Sequence, residues 1–355
     1  MRLKNLNLYV ARLLSALCLF LILAAANVWL DPLNNTLLVL GYRLFIIATP
    51  FLLLVFRQYL TIAAFIATQL GLLAWLQQWM LVGTLLFATG IAISGYMLKY
   101  YAAFSTEGAA GNKIALNVGS IASGVLIMAS QNQNIMIGFC FLVMIIATAC
   151  FVLHTKQQPL LSLHRKQNQQ ALIFSKKSMA WALIGFVIGV KLIALVSILP
   201  QLLMQKNQGN LPNWFGGILI LNSVLVVVLQ LPVMRIMKQQ SKMMSLMPLL
   251  LGMATLLFAS QLEINHFWGA CCWTVILSVV ECCVSYLDTL SQHDGMLLIK
   301  EAAVGIGSAS TVLLVRNCDP LLAASIIGVI AISCILICFF LFVEKPHVGI
   351  EGQVG

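Results

Sequence analysis

The sequence predicts an all-α integral membrane protein of about twelve transmembrane helices, arranged as two six-helix bundles related by a parallel repeat. Three observations predict it. Of 355 residues, 61% are hydrophobic and only 8% charged, whereas a soluble domain carries about 25% charged residues to face water. The chain divides into apolar segments near the length that crosses the hydrocarbon, about 20 residues at 1.5 Å each. Its cations collect in alternate connections between those segments, as the positive-inside rule requires.

The segments fall near 11–30, 35–56, 59–79, 80–99, 113–130 and 135–153, then near 179–203, 213–235, 243–261, 267–287, 297–315 and 320–342. The first follows Arg2, Lys4 and Arg12, and "AAAN" (24–27) resembles a signal cleavage site. Its run from Leu13 to Leu30 exceeds a signal core of about 7–15 residues, so it reads as an uncleaved span. Segments three and four are nearly continuous. "LQQW" (76–79) marks the turn between them, with Trp75 and Trp79 suited to an interfacial belt. The longest polar stretch, "HTKQQPLLSLHRKQNQQALIFSKKS" (154–178), separates six spans from six. The expected organisation is therefore a first bundle over 1–154, a basic linker over 155–178, a second bundle over 179–345 and a tail over 346–355.

Sixteen of the 20 Lys and Arg residues fall on the side that holds the N-terminus, Lys99, Lys113 and Lys300 among them. Only Lys206 and Arg316 fall on the other side, and Arg43 and Lys191 lie within spans. That asymmetry predicts both termini in the cytoplasm, with a bacterial inner membrane as the expected location. The net charge of +10 is thereby assigned to loops, and no basic stripe on a soluble element is left for nucleic acid. Nearly all ten cysteines sit inside apolar runs and read as small hydrophobes. The adjacent pairs Cys271-Cys272 and Cys282-Cys283 could share a face but do not match metal-ligand spacing. No metal or cofactor is expected.

The two halves echo one another. "ATPFLLLVFR" (48–57) and "LQLPVMRIMK" (229–238) each close a span with a proline and then an arginine. "KIALNVGSIASG" (113–124) and "KEAAVGIGSAST" (300–311) each pair a lysine with small residues. Ala115, Gly119 and Ser123 recur every fourth residue, as do Ala303, Gly307 and Thr311. Such faces let helix backbones approach closely in lipid.

Six plus six spans, a basic linker and a parallel repeat resemble the major facilitator superfamily. The best local match is "LPNWFGGILILNSVLVVVLQLPVMRIMKQQSKMMSLMPLLLG" (211–252), similar to that family's eighth and ninth spans joined by a basic loop. The loop between spans two and three departs from the family pattern: "FRQY" (56–59) has neither the glycine nor the acid. The resemblance implies alternating access between two bundles, with a substrate site near the membrane midplane and no cofactor.

Intramembrane charges usually face the bundle interior. Lys191, near the middle of span seven, and Arg43, in span two, come from opposite halves and would suit a carboxylate or phosphate. Glu281 is the one acid read as lying well inside a span, and it is the candidate for proton coupling. A structural Lys191–Glu281 pair would account for both charges without a substrate. Asn27, Asn222 and Gln230 are further candidates for the substrate site, and Gln69, Asn117, Tyr42 and Trp273 weaker ones. Pro50, Pro200 and Pro232 are expected to bend or end helices.

The expected function is a secondary transporter of a small anionic or zwitterionic solute, such as a carboxylate metabolite or siderophore, acting as a monomer and driven by protons. One alternative is a non-transporting interaction or sensor protein on the same scaffold. Another is an integral-membrane transferase using Asp288, His293 and Asp294 of "YLDTLSQHDG" (286–295), read as a cytoplasmic loop. No G-x-x-x-x-G-K-[ST] phosphate loop occurs.

Overall fold

The computed structural model describes residues 5–30, 32–56, 59–104, 106–129, 132–157, 175–194, 198–206, 208, 212, 214–259 and 263–342. Hydrocarbon offers the backbone no hydrogen-bond partner, so each apolar segment must satisfy its own amides as a helix. The first half contains α1 (Leu6–Trp29), α2 (Pro32–Phe56), α3 (Leu60–Leu76), α4 (Met80–Ala102), α5 (Thr106–Ala129) and α6 (Gln133–Gln157). The second contains α7 (Lys176–Ile193), α8 (Leu199–Lys206), α9 (Phe215–Met237), α10 (Met247–Leu257), α11 (Phe267–His293), α12 (Leu297–Asn317) and α13 (Pro320–Phe342).

Every predicted span has a helical counterpart, but four differ in extent. The seventh is divided into α7 and the short α8, with 195–197 outside the described residues. The ninth, α10, has only 11 residues, about 16 Å of helix. α5 begins seven residues before the predicted boundary, so Lys113 lies two turns inside the helix rather than at its first residue. α11 likewise continues through the stretch expected to be a loop, placing Asp288 inside it. No helix breaker interrupts 286–294, and the turn comes at Gly295, whose φ of 72° suits glycine. Among the described residues, seven helices are long and apolar enough to cross a membrane. Pro50 and Pro232 sit within α2 and α9 rather than ending them.

α7 starts at a capping box: Ser175 Oγ accepts from the Ser178 amide at 3.1 Å, and Ser178 Oγ from the Ser175 amide at 2.9 Å. Among the described residues two large apolar cores form, beside one small cluster. One joins Phe65, Trp75, Phe87 and Phe151 in the first half; the other joins Trp181, Ile184, Trp273 and Leu277 in the second. α4 and α11 are mostly buried, whereas α6 and α13 leave much of their apolar surface facing outward. So broad an apolar exterior is a lipid-facing surface.

The small-residue faces do in each half what their spacing predicts. α5 packs on α1, and a Cβ at Gly119 would stand 2.5 Å from the Leu13 carbonyl oxygen. α12 packs on α7, and a Cβ at Gly307 would overlap the Phe186 carbonyl. The halves meet where α2 touches α12 and where α5 touches both α9 and α11. The end of the bundle at which α1 begins carries most of the described cations and is called the basic end below.

Candidate functional site

α11 runs along the contact with α5, so acids on its inner face look toward the other half. Glu281 and Asp288 lie seven residues, or two turns, apart on that face, about 10 Å along the axis. Each organises a group of charges.

The deeper group surrounds Glu281, near the middle of α11. One carboxylate oxygen, Oε1, is 2.7 Å from Lys113 Nζ of α5; the other, Oε2, is 2.6 Å from Lys191 Nζ of α7. Lys191 is 3% exposed as a side chain, and Lys113 and Glu281 are 12% and 10% exposed. The carboxylate thus spends one oxygen on each half of the molecule. Two ammonium groups share one negative charge, leaving the group with a net positive charge. Each ammonium has three donors, so donors remain after the bond to Glu281.

The second group lies nearer the basic end. Lys99 of α4 is 2.9 Å from Glu301 and 3.4 Å from Asp288. Lys300, fully buried on α12, contacts Asp288 and lies 2.6 Å from Glu301. Two cations meet two anions, so this group is neutral. Because Lys99 belongs to the first half and the other three to the second, it ties the halves together.

A fourth acid, Asp294, caps this end of the second half beyond α11. It accepts from Trp181 Nε1 at 3.0 Å and lies 3.1 Å from Lys177 and 3.2 Å from Lys242. Burial pushes its carboxyl up. Hydrogen bonds from Lys177, Trp181 and Lys242 outweigh that and hold it below its ordinary value.

Of the expected site residues, Lys191 and Glu281 are brought together. Asn222 and Gln230 of α9 flank Glu281: Asn222 Oδ1 accepts from Ser278 at 2.9 Å, and Gln230 Nε2 donates to the Cys282 carbonyl at 3.2 Å. Gln230 is fully buried, and its Oε1 has no partner among the described residues. Arg43 forms no ion pair with this group among the described residues. Its guanidinium carbon sits 5.3 Å from the Tyr42 ring centroid, and its buried Nε has no partner among the described residues. The side chain of Asn27 lies outside the described residues. Asn117 caps back onto the Lys113 carbonyl at 2.9 Å, while Gln69 bonds Thr148 and Trp273 bonds Thr255 in packing contacts within one half.

Two expectations are corrected here. Glu281 is not the only acid within a span, since Asp288 and Glu301 are buried in α11 and α12. Lys99, Lys113 and Lys300 are not loop cations but helix residues paired with those acids. The positive-inside count absorbed these lysines because it scores charge without asking for a partner. The available signal was the repeat, which sets Lys113 and Lys300 at matching places, and the two-turn spacing of Glu281 and Asp288. Among the described residues, no group of His, Cys, Asp and Glu could hold a metal ion. Cys282 and Cys283 are buried while Cys272 is exposed.

No protein-family profile matches the sequence, and no curated protein matches it. Solved structures do match in fold. A peptide transporter, POT, in complex with sulfate superposes with a TM-score of 0.62 at 12% identity, over 95% of this chain and 93% of that one. A point mutant of a peptide transporter POT bound to alafosfalin gives 0.55 at 14% identity, over the same shares of the two chains. At such identities the likeness is one of fold: the chain has the two-bundle helical architecture of these transporters.

Proposed function

We propose that this chain is a secondary transporter of the major facilitator type, moving a small solute with a carboxylate or similar anionic group by alternating access. The observation that carries the reading is the charge imbalance around Glu281. Two lysines, the buried Lys191 of one half and the partly buried Lys113 of the other, share a single carboxylate at mid-span. A buried cation in excess is costly unless something negative can join it. A solute carboxylate accepting from Lys113 and Lys191 would supply that charge at the meeting of the halves. Glu281, displaced from the lysines, is the group that would take up a proton. Asn222 and Gln230 would orient the solute beside it. Opening toward the basic end would require Lys99 to leave Asp288 and Glu301, which gives the rocking motion a defined electrostatic step.

A zwitterion such as a short peptide falls within the same class. Its carboxylate would meet the lysines and its ammonium Glu281, and the fold shared with peptide transporters supports that member of the class.

The test is thermal unfolding of the purified protein against a panel of carboxylates, phosphates, short peptides and organic cations, with wild type beside Lys191→Ala. A ligand at 100 times its Kd stabilises by about 2.7 kcal/mol. The expected result is stabilisation of wild type by one anionic or zwitterionic class and none of the variant. In proteoliposomes that compound should accumulate only when a proton gradient is imposed. Stabilisation of both proteins alike, or by cations alone, would sink the proposal.

A further inference from the structure

Charged side chains at the α5–α9 contact remain outside both ion-pair groups. There, at the basic end, a cavity of about 170 Å³ opens between two helices that belong to different halves. α5 lines it with Glu107, Ala110 and Ile114, and α9 with Leu231, Arg235 and its C-cap residue Lys238. Each set recurs at three or four residues, so each is one helical face. The inner part is apolar, and Ala110 packs with Met234 and Tyr286 just behind it. The rim is charged and exposed, two cations against one acid. Neither Arg235 nor Lys238 makes an ion pair among the described residues.

We infer that this cleft is a binding site for an anionic phospholipid, with the phosphate held by Arg235 and Lys238 and an acyl chain entering along Leu231 and Ile114. Two features of the cleft select a lipid over a free anion. Leu231 lines the cleft and is 47% exposed, so the apolar part is open to an acyl chain along α9. A soluble phosphate would use the rim and leave the apolar face unfilled. Basic pockets between transmembrane helices are suited to anionic headgroups, and the rim stands at the end where the cations collect. The site straddles the seam between halves, so a bound lipid favours the arrangement in which α5 and α9 are packed together. The inference is independent of what the protein moves.

The experiment is native mass spectrometry of the full-length protein, released from detergent in the presence of phosphatidylglycerol and phosphatidylcholine of matched chains. Wild type is expected to retain phosphatidylglycerol several-fold over phosphatidylcholine. The double variant Arg235→Gln/Lys238→Gln should bring that ratio to about one. Glu107→Gln, which removes the opposing charge, should raise phosphatidylglycerol retention, a gain that misfolding cannot mimic. Lys176→Gln, an exposed cation at the same end, should change neither. The inference is overturned if the double variant keeps its preference, or if Lys176→Gln loses as much. It is equally overturned if glycerol phosphate displaces the lipid as well as phosphatidylglycerol itself does.

Discussion

Lys113 and Lys300 occupy matching places in the two halves, each on a helix whose small residues pack against a partner helix, yet their electrostatic settings differ. Lys300 is fully enclosed and faces two acids, Asp288 and Glu301, with Lys99 completing a neutral set of four. Lys113 faces one acid, Glu281, which it must share with Lys191. A neutral buried set is complete in itself and suits a latch. A set with an excess cation is incomplete and suits a ligand site. The repeat therefore supplied one chemical group twice, and the acids around it set two different charge balances.

The largest expected effect comes from removing the shared acid. Glu281→Gln leaves the buried Lys191 and the partly buried Lys113 without a counter-charge and should destabilise the protein by about 3–5 kcal/mol, seen as a lower thermal midpoint. A loss below about 1 kcal/mol would mean that water already screens the group, which would erase the contrast with the neutral set. Gly307→Ala tests the shared scaffold instead. Its Cβ would press on the Phe186 carbonyl, and such overpacking costs about 1–3 kcal/mol. An unchanged midpoint would show that α7 and α12 separate easily.

Lys113→Gln sharpens the comparison, because it converts the deeper group into a one-to-one pair of Lys191 and Glu281. Stability should change far less than in Glu281→Gln, because no buried charge is left unpaired, while stabilisation by carboxylates should vanish. Retained stabilisation would assign the anion to Lys191 alone. The smallest effect concerns acid. Asp294 is held below its ordinary value of about 3.9. Its contribution is therefore present above that pH and is lost as pH falls through the depressed value. Between pH 5 and 3 the midpoint should drop less in Asp294→Asn than in wild type; equal drops would assign acid sensitivity to other carboxyls.

Much of the architecture was legible in the chain. Apolar length located the helices, and the spacing of Gly119 and Gly307 anticipated which faces pack. Lys191 and Glu281 stood out as charges in apolar runs, and the structure joins them. Asp288, Glu301, Lys99, Lys113 and Lys300 did not stand out, because each lies at or near the end of an expected span, where a charge in sequence looks solvated. Arg43 illustrates the opposite difficulty: it is conspicuous in sequence but faces its neighbour Tyr42 and forms no ion pair with the charges around Glu281 among the described residues.

The sequence by itself determined that the chain crosses a membrane as helices and that it does so in two echoing halves. Hydropathy and small-residue spacing act locally, within one helix or between close neighbours, so they can be read residue by residue. Only the tertiary structure decided which charges meet. An ion pair between Lys113 and Glu281 joins residues nearly half the chain apart, and its sign balance depends on every side chain that reaches the same few ångströms. Coulomb energy there is set by distance and local dielectric, and neither is written in the order of the residues.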